Sequence, residues 1–248
     1  MVRSRSRRDG ETLSAERIEE AALDLIEREG MEAFSTRKLA AELGCEAMSI
    51  YHYFPGKAHL LDAIFDRVVG SLPPDDPSRP WRERVEALVF AYRGMAHRYP
   101  RFFPFIALHR HNTRAGLAWL ECVLAVFSDA GLDTETAARF FRLVGYYVIG
   151  AALDETSGYA KGHSATEPVP GPEIEMAYPL VTAVNRYFRP DEHDATFRLG
   201  LGILLDRIEA MAEDGSPTES GAKPRSPAGG AAPRPASPRA RASRSSSR

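Results

Sequence analysis

Two cysteines in 248 residues, Cys45 and Cys122, are too few to staple a fold, and they form neither a CxxC pair nor a Cys/His cluster of the kind that holds zinc. A disulfide framework and a structural metal are therefore excluded as sources of stability, and a chain of this length can build a core without them. No apolar run approaches the ~18 residues of a membrane-crossing helix. The basic N-terminus is followed by no apolar stretch, which excludes a secretory signal and predicts a soluble, cytoplasmic protein. Excess charge is missing as well. Lys and Arg number 32 against 34 Asp and Glu, a net charge of -2, so the molecule as a whole is not an electrostatic DNA binder and any attraction must come from local clusters. Alternation of apolar and polar residues is absent over any useful length, which excludes a sheet and predicts an all-α fold. There is no phosphate-cradling glycine loop, no nucleophile elbow and no HExxH pair. The adjacent carboxylates Asp154 and Glu155 would point ~100° apart on a helix and read as an exposed helix end. Neither an enzyme nor a cofactor is predicted.

What is present is helical periodicity, with 44% apolar residues. Ser14 is a good N-cap for a helix over 15–29, whose first turns carry Glu16, Glu19 and Glu20 where the helix dipole favours acids. Helices follow over 36–43, 47–53 and 57–70, the last with Leu60, Leu61, Ile64, Phe65 and Val68 on one side. The run Leu72-Pro73-Pro74-Asp75-Asp76-Pro77 breaks the pattern. Beyond it, helices are predicted over 81–97 (Val85, Leu88, Val89 and Tyr92 inward) and 113–130, with a short apolar segment over 101–109 between them. A long helix from Asp133 to about Thr156 is apolar nearly all round and should be buried on every side. Residues 157–172, rich in Gly, Pro and Ser, read as a loop; helices resume over 179–188 and 191–211. Past Glu213 the composition collapses to Pro, Ser, Ala, Gly and Arg, which cannot fold. The predicted organisation is a disordered basic arm (1–12), two helical units (13–72 and 78–213) and a disordered tail (214–248).

The segment Thr36 to Lys57 carries the most information. Leu39, Ala40 and Leu43 form one face of a short helix, and Gly44 follows at once, where a helix commonly ends in a left-handed residue. The next short helix turns Ile50 and Phe54 inward and Met48, Ser49, Tyr51, His52 and Tyr53 outward. Two helices joined by a Gly-containing turn form a helix-turn-helix, whose second helix enters the major groove of DNA. The outward face carries hydroxyls, rings and an imidazole instead of the usual charges, and such groups can meet base edges and phosphates. A helical hairpin of some other bundle is the alternative.

The segment resembles the DNA-binding domain of the TetR family of bacterial repressors. The match runs through Phe34 to Ala40, Leu43-Gly44, Tyr51 to Phe54, Lys57 and Leu60-Leu61, with the preceding helix of Ile18, Ala21, Ala22, Leu25 and Ile26. A weaker resemblance to the ligand-binding domain of the tetracycline-repressor branch continues through Arg79 to Met211, in Ala130-Gly131-Leu132, Val148-Ile149-Gly150 and Phe197 to Gly202. The resemblance implies that Thr36, Tyr51 and Lys57 contact phosphate and that Arg37, Ala47, Met48, Ser49, His52 and Tyr53 read or brush base edges. Ala47 and Met48 depart from members that carry a polar residue there, so readout at them would be by methyl contact. Tyr51 could instead pack under the third helix, Tyr53 could be a staple on the fourth, and Lys38 reads as a solvated charge. The basic arm (Arg3, Arg5, Arg7, Arg8) either reaches a minor groove or is a solvated tail.

The resemblance also implies a small-molecule pocket in the remaining helices. Phe102, Phe105, His109, Trp119, Phe141 and Tyr146 are the expected lining, since such sites are built from apolar and aromatic walls with a few polar groups; a filled aromatic core is the alternative. The tetracycline branch uses a His in this region with ligand-bound magnesium, yet His109 and His111, two apart, would point to opposite sides of a regular helix, and no metal is predicted. Apolar faces on the last two helices (Leu180, Val181, Val184, Tyr187, Phe188; Phe197, Leu199, Leu201, Ile203, Leu204, Ile208) predict a homodimer through a four-helix bundle. The function expected is a repressor that binds a pseudo-palindromic double-stranded DNA operator as a homodimer and is released by a small-molecule effector. A small-molecule-binding protein whose helix-turn-helix contacts protein, and an activator, are the alternatives.

Overall fold

Short-range capping sets the boundaries of the first two helices. The computed structural model describes residues 12–109, 112–156 and 169–215; the arginines of the arm, His111, most of the expected loop at 157–168 and the tail beyond 215 lie outside the described residues. Among the described residues there are eleven α-helices and no strand.

Helix α1 (Ala15–Glu29) starts where the Ser14 hydroxyl accepts a hydrogen bond from the Arg17 backbone N–H at 3.3 Å. Helix α2 (Thr36–Leu43) is capped in the same way by Ser35, which accepts from Lys38 N at 3.3 Å. It ends at Gly44, in the left-handed region at φ 68°, where a side chain would strain the backbone. Helix α3 (Ala47–Tyr51) stops two residues before the predicted end, because Tyr53 N and Phe54 N both turn back to the Ile50 carbonyl at 3.0 Å. Helix α4 (Lys57–Gly70) closes the N-terminal unit over Ile18, Ala22, Leu25, Ile26, Phe34, Leu39, Ile50, Leu60 and Ile64, all buried. Burying each large apolar side chain contributes roughly 1.5–3 kcal/mol, enough to hold so small a unit once it shares a core with its neighbours. The sharing is done by α4, which carries Phe65, Val68 and Val69 onward to pack against α7 (Arg114–Asp129).

Behind α4 stand α5 (Trp81–Arg98), α6 (Phe103–Leu108), α7 and α8 (Thr134–Thr156), with α5 packed on both α7 and α8. The chain continues with α9 (Gly171–Ala177), α10 (Pro179–Val184), two 3-10 turns (Asn185–Phe188 and Pro190–Glu192) and α11 (His193–Gly215), which lies on α8. Tyr147 of α8 settles into α11 at Gly200: its hydroxyl donates to the Phe197 carbonyl at 2.9 Å, and its ring stacks on Phe197 with centroids 5.2 Å apart.

Four expectations are corrected. The loop expected through Pro172 gives way to α9 at Gly171, because Pro172 sits in the first turn, where proline favours a helix instead of breaking one. Tyr178, extended before Pro179, then separates α9 from α10. Helix α8 is not buried all round: Ala137, Phe140, Val144, Val148 and Ala152 are inside, whereas Leu143 and Tyr146 are 44% and 62% exposed. The apolar set on α11 divides between two faces, with Phe197, Leu201, Leu205 and Ile208 buried and Leu199 and Ile203 exposed. Finally, Glu155 is no exposed helix end. Its side chain is 5% accessible and accepts from Arg93 Nε at 2.8 Å, while His97 Nε2 lies 2.7 Å away. Arg93, itself buried, also donates to Asp194 at 2.6 Å, and so ties α5, α8 and α11 together. Arg84 does likewise for Asp75 and Asp129, which hold its guanidinium far above its ordinary pKa.

Candidate functional site: the short third helix and an aromatic cavity

The residues singled out on the N-terminal unit come together on one surface around α3. Met48 is 62% exposed, Tyr51 39% and Tyr53 43%, with Arg37, His52 and Lys57 also exposed; Thr36, Ala47 and Ser49 are half-buried beside them. Ala47 packs against the core, so only part of its methyl faces outward.

Internal hydrogen bonds hold this surface in shape. The hydroxyls of Thr36 and Tyr51 lie 3.1 Å apart, linking the start of α2 to the end of α3. Lys57 donates to the Phe34 carbonyl at 3.1 Å and sits 5.1 Å over the Phe34 ring. Tyr53 donates to the Leu13 carbonyl at 2.6 Å, which ties it to the segment before α1 and not to α4. Lys38 is not simply solvated: it pairs with Glu29 at 2.8 Å, and this bond holds the Glu29 carboxyl below its usual range. Arg28 pairs with Glu42 at 2.6 Å. Several neighbouring acids are thus neutralised by local partners, while Arg37, Met48, His52 and Lys57 stay exposed.

The second candidate site is a cavity of about 700 Å³ between α5, α6, α7 and α8, within the size range of small-molecule sites. Of the six expected lining residues, it brings together His109, Trp119, Phe141 and Tyr146. Phe102 and Phe105 stand behind the wall. Phe102 is wholly buried and stacks on Phe105 with centroids 5.2 Å apart, and Phe105 stacks in turn on His109 at 4.7 Å. Most of the remaining wall is aliphatic, drawn mainly from α5 (Val85, Leu88, Val89) and α8 (Val144, Val148, Ile149), with Phe127 of α7 beside them.

Two polar lining residues escaped the sequence reading. Tyr92 read as an inward residue of the α5 stripe, and nothing local distinguishes a filled core from a cavity wall. It is 6% exposed, stacks on Trp119 at 6.1 Å, and its hydroxyl has no hydrogen-bond partner among the described residues. Burial pushes its phenol pKa far up, so the group stays protonated and available as a donor. Arg142 lies on the side of α8 that also carries Glu135 and Arg139, and nothing local set it apart as a lining residue. Its guanidinium donates to the Tyr146 hydroxyl at 2.7 and 3.1 Å and lies 4.9 Å over that ring. Arg142, Tyr146 and Leu108 are exposed and so mark the mouth.

His109 joins the cavity to α4. It lines the cavity, and its ring lies 4.6 Å from that of Phe65 on α4. Its Nε2 is 3.3 Å from Asp62 Oδ1 but too poorly aligned for a hydrogen bond, and is otherwise buried without a partner among the described residues. Because α6 ends at Leu108, His109 is not on a helix and the helical-spacing argument about His111 does not apply. Among the described residues no three His, Cys, Asp or Glu side chains converge as metal ligands. Nor is any helix among them long and apolar enough to cross a membrane.

Comparison with known proteins matches both halves. The family described as bacterial regulatory proteins, tetR family, matches residues 18–64, and the tetracyclin repressor-like C-terminal domain matches residues 73–212. The transcriptional repressor DrrR1 of Streptomyces coeruleorubidus is 30% identical over 215 residues, covering 81% of this chain and 78% of its own. The class A tetracycline repressor of Escherichia coli is 28% identical, over 76% of this chain and 87% of its own. Among solved structures, ActR of Streptomyces coelicolor in complex with actinorhodin superposes with a TM-score of 0.62 at 26% identity, over 82% of this chain and 99% of that one.

Proposed function

The chain belongs to the TetR family, whose members are transcriptional regulators and not enzymes, and on that premise we propose a ligand-released repressor that binds a pseudo-palindromic operator as a homodimer. The observation that carries the reading is the α2–Gly44–α3 unit, which presents an outward face of hydroxyls and rings on a helix anchored inward by Ile50 and Phe54. We assign residues 13–72 to DNA binding and 78–213 to effector binding and dimerisation, in a cytoplasmic protein.

On the DNA side, Thr36, Tyr51 and Lys57 contact phosphate, while Arg37, Ala47, Met48, Ser49, His52 and Tyr53 face base edges in the major groove. The bonds Thr36–Tyr51 and Lys57–Phe34 support this assignment, since groups already oriented lose less freedom on binding. Dimerisation uses the exposed apolar residues of α10 and α11 and the turn between them, among them Leu180, Val184, Phe188, Leu199 and Ile203. A two-fold pair of recognition helices then reads half-sites about one DNA turn apart, ~34 Å.

The effector occupies the cavity against His109, Trp119, Phe141 and Tyr146. The ActR complex with actinorhodin and the name of the tetracycline repressors favour a small molecule with an aromatic ring system. Release requires that the molecule bind one arrangement of the dimer more tightly than the other; equal affinity would shift nothing. The His109–Phe65 ring contact supports α4 as the lever, because α4 follows directly on the helix-turn-helix and its other end faces the cavity wall.

The test is fluorescence anisotropy of purified protein on promoter fragments recovered by DNA retention, against scrambled duplexes, with the particle mass measured in parallel. Preference for a recovered fragment and a dimer mass are expected. A monomer, or equal affinity for scrambled DNA, refutes the reading; the second result would favour a helix-turn-helix that docks on protein.

A further inference from the structure

We propose that the effector of this cavity is an anionic fused-ring aromatic, with its acidic oxygen held at the mouth by Arg142 and a second oxygen accepting from the buried Tyr92 hydroxyl. This deepens the effector reading of the same cavity and rests on it.

The lining contains one permanently charged group, Arg142, and no Asp, Glu or Lys. A cationic ligand would therefore enter with its charge facing a guanidinium and with no carboxylate in the wall to offset it. An anion meets the opposite situation. Arg142 makes no ion pair among the described residues: its guanidinium rests on the Tyr146 hydroxyl and ring. A neutral hydroxyl is a weaker acceptor for a guanidinium than a carboxylate or ionised phenol, which two parallel N–H groups engage at once. The nearest acid along this face of α8, Glu135, is bound by Arg139 at 2.5 Å and does not compete.

Tyr92 supplies the independent second observation. Its side chain is more than nine-tenths buried in the cavity wall and its hydroxyl has no partner among the described residues. A buried hydroxyl without a partner is costly, and a ligand oxygen relieves that cost. Between these two polar points the wall is aromatic and aliphatic, with Trp119 stacked on Tyr92 and Phe141 also in the lining, so a rigid ring system fits what joins them.

Three anthracene probes of one shape, each with a methoxy oxygen at C6 to meet Tyr92, separate the possibilities: 6-methoxyanthracene-2-carboxylate, its neutral 2-carboxamide and its 2-aminomethyl analogue. Binding to the full-length protein is read by the anisotropy of the probe's own fluorescence. The carboxylate is expected to bind ~10-fold or more tighter than the amine, with the amide between, as a charge-assisted hydrogen bond would give. Arg142→Gln should bring the three affinities together. Tyr92→Phe should weaken all three probes alike and leave their ratios unchanged, with a melting temperature no lower than wild type, which separates a lost contact from a loss of fold. The proposal is overturned if the amine binds as tightly as the carboxylate, if Arg142→Gln leaves the preference intact, or if none of the three binds at millimolar concentration. An amine that binds and releases DNA would sink the anion assignment while the effector reading stands. Failure to bind DNA at all would sink the repressor reading while the probe series still decides the anion.

Discussion

Lys57 offers the cleanest test of how the N-terminal unit meets DNA. Its ammonium is exposed but not loose: it is fixed between the Phe34 carbonyl at 3.1 Å and the Phe34 ring at 5.1 Å. The substitution Lys57→Gln removes the charge while keeping a side-chain donor that can still reach the carbonyl, so the effect on DNA is separated from the effect on folding. A cation that neutralises a phosphate releases condensed counterions, and each such contact contributes about 0.9 to the slope of log affinity against log salt. In the proposed dimer one Lys57 per protomer would make two phosphate contacts, so the slope should flatten by ~1.8. Between 50 and 200 mM salt, a fourfold change, the wild type should then lose ~12-fold more affinity than the variant. Anisotropy titrations at three salt concentrations in that range read this directly, on any duplex, because phosphate contacts carry no sequence information. Tyr51→Phe is the matched control: it removes a neutral hydroxyl that Thr36 helps to orient, so affinity falls on all sequences with the slope unchanged. Parallel slopes for wild type and Lys57→Gln, with melting temperatures also alike, would refute the phosphate assignment of Lys57.

Three further outcomes follow from packing and burial. A methyl at Gly200 would come within 2.6 Å of Tyr147 Cζ, so Gly200→Ala sets an overpacking cost of about 1–3 kcal/mol against about 1 kcal/mol gained in helix propensity. Urea unfolding should show a net loss that turns into a gain in a Tyr147→Leu background. Arg93→Met strands the buried Glu155 carboxylate with only His97 beside it, a loss of roughly 3–5 kcal/mol, most of which Arg93→Met with Glu155→Gln should recover in the same assay. Burial raises the Tyr92 phenol pKa in the folded chain, so this group's stability contribution is fully present below the unfolded value near pH 10 and is lost as pH rises above it. Tyr92→Phe should remove that part of the alkaline decline. It should also stabilise the ligand-free protein by about 1 kcal/mol at neutral pH, since it deletes a buried hydroxyl without a partner. A variant less stable than wild type at neutral pH would show that the hydroxyl is satisfied after all.

The contrast between what was legible in the sequence and what was not follows sequence separation. The helix-turn-helix is written in neighbours: Ser14 caps three residues ahead, Gly44 takes the left-handed conformation that ends α2, and Ile50 and Phe54 turn inward four residues apart. Such signals need no knowledge of the rest of the chain, which is why α1, α2 and α4 begin and end where periodicity places them. Proline is ambiguous at the same range, because one residue both stops a helix and starts the next. Pro172 was read in the first sense and acts in the second.

Long-range partners decide the remainder. Arg84 and Arg93 sit on α5 beside the inward residues Val85, Leu88, Val89 and Tyr92, and both are buried because Asp75, Asp129, Glu155 and Asp194 arrive from positions 9 to 101 residues away. The same rule governs the cavity. Phe102 and Trp119 are equally aromatic in the sequence, but Phe102 fills space between helices while Trp119 borders space left open, and only the packing of α5 against α7 and α8 distinguishes them. The proposed sites draw on three features that stand out from their surroundings: a tyrosine hydroxyl in an aliphatic stripe, an arginine at a cavity mouth, and apolar groups where a solvated helix would carry charge. Each is costly or idle in the isolated protomer, with Tyr92 unsatisfied, Arg142 resting on a neutral phenol and Met48 exposed. A ligand oxygen, a ligand anion and a DNA groove would respectively relieve them, which makes these three positions more telling than any of the well-packed residues around them.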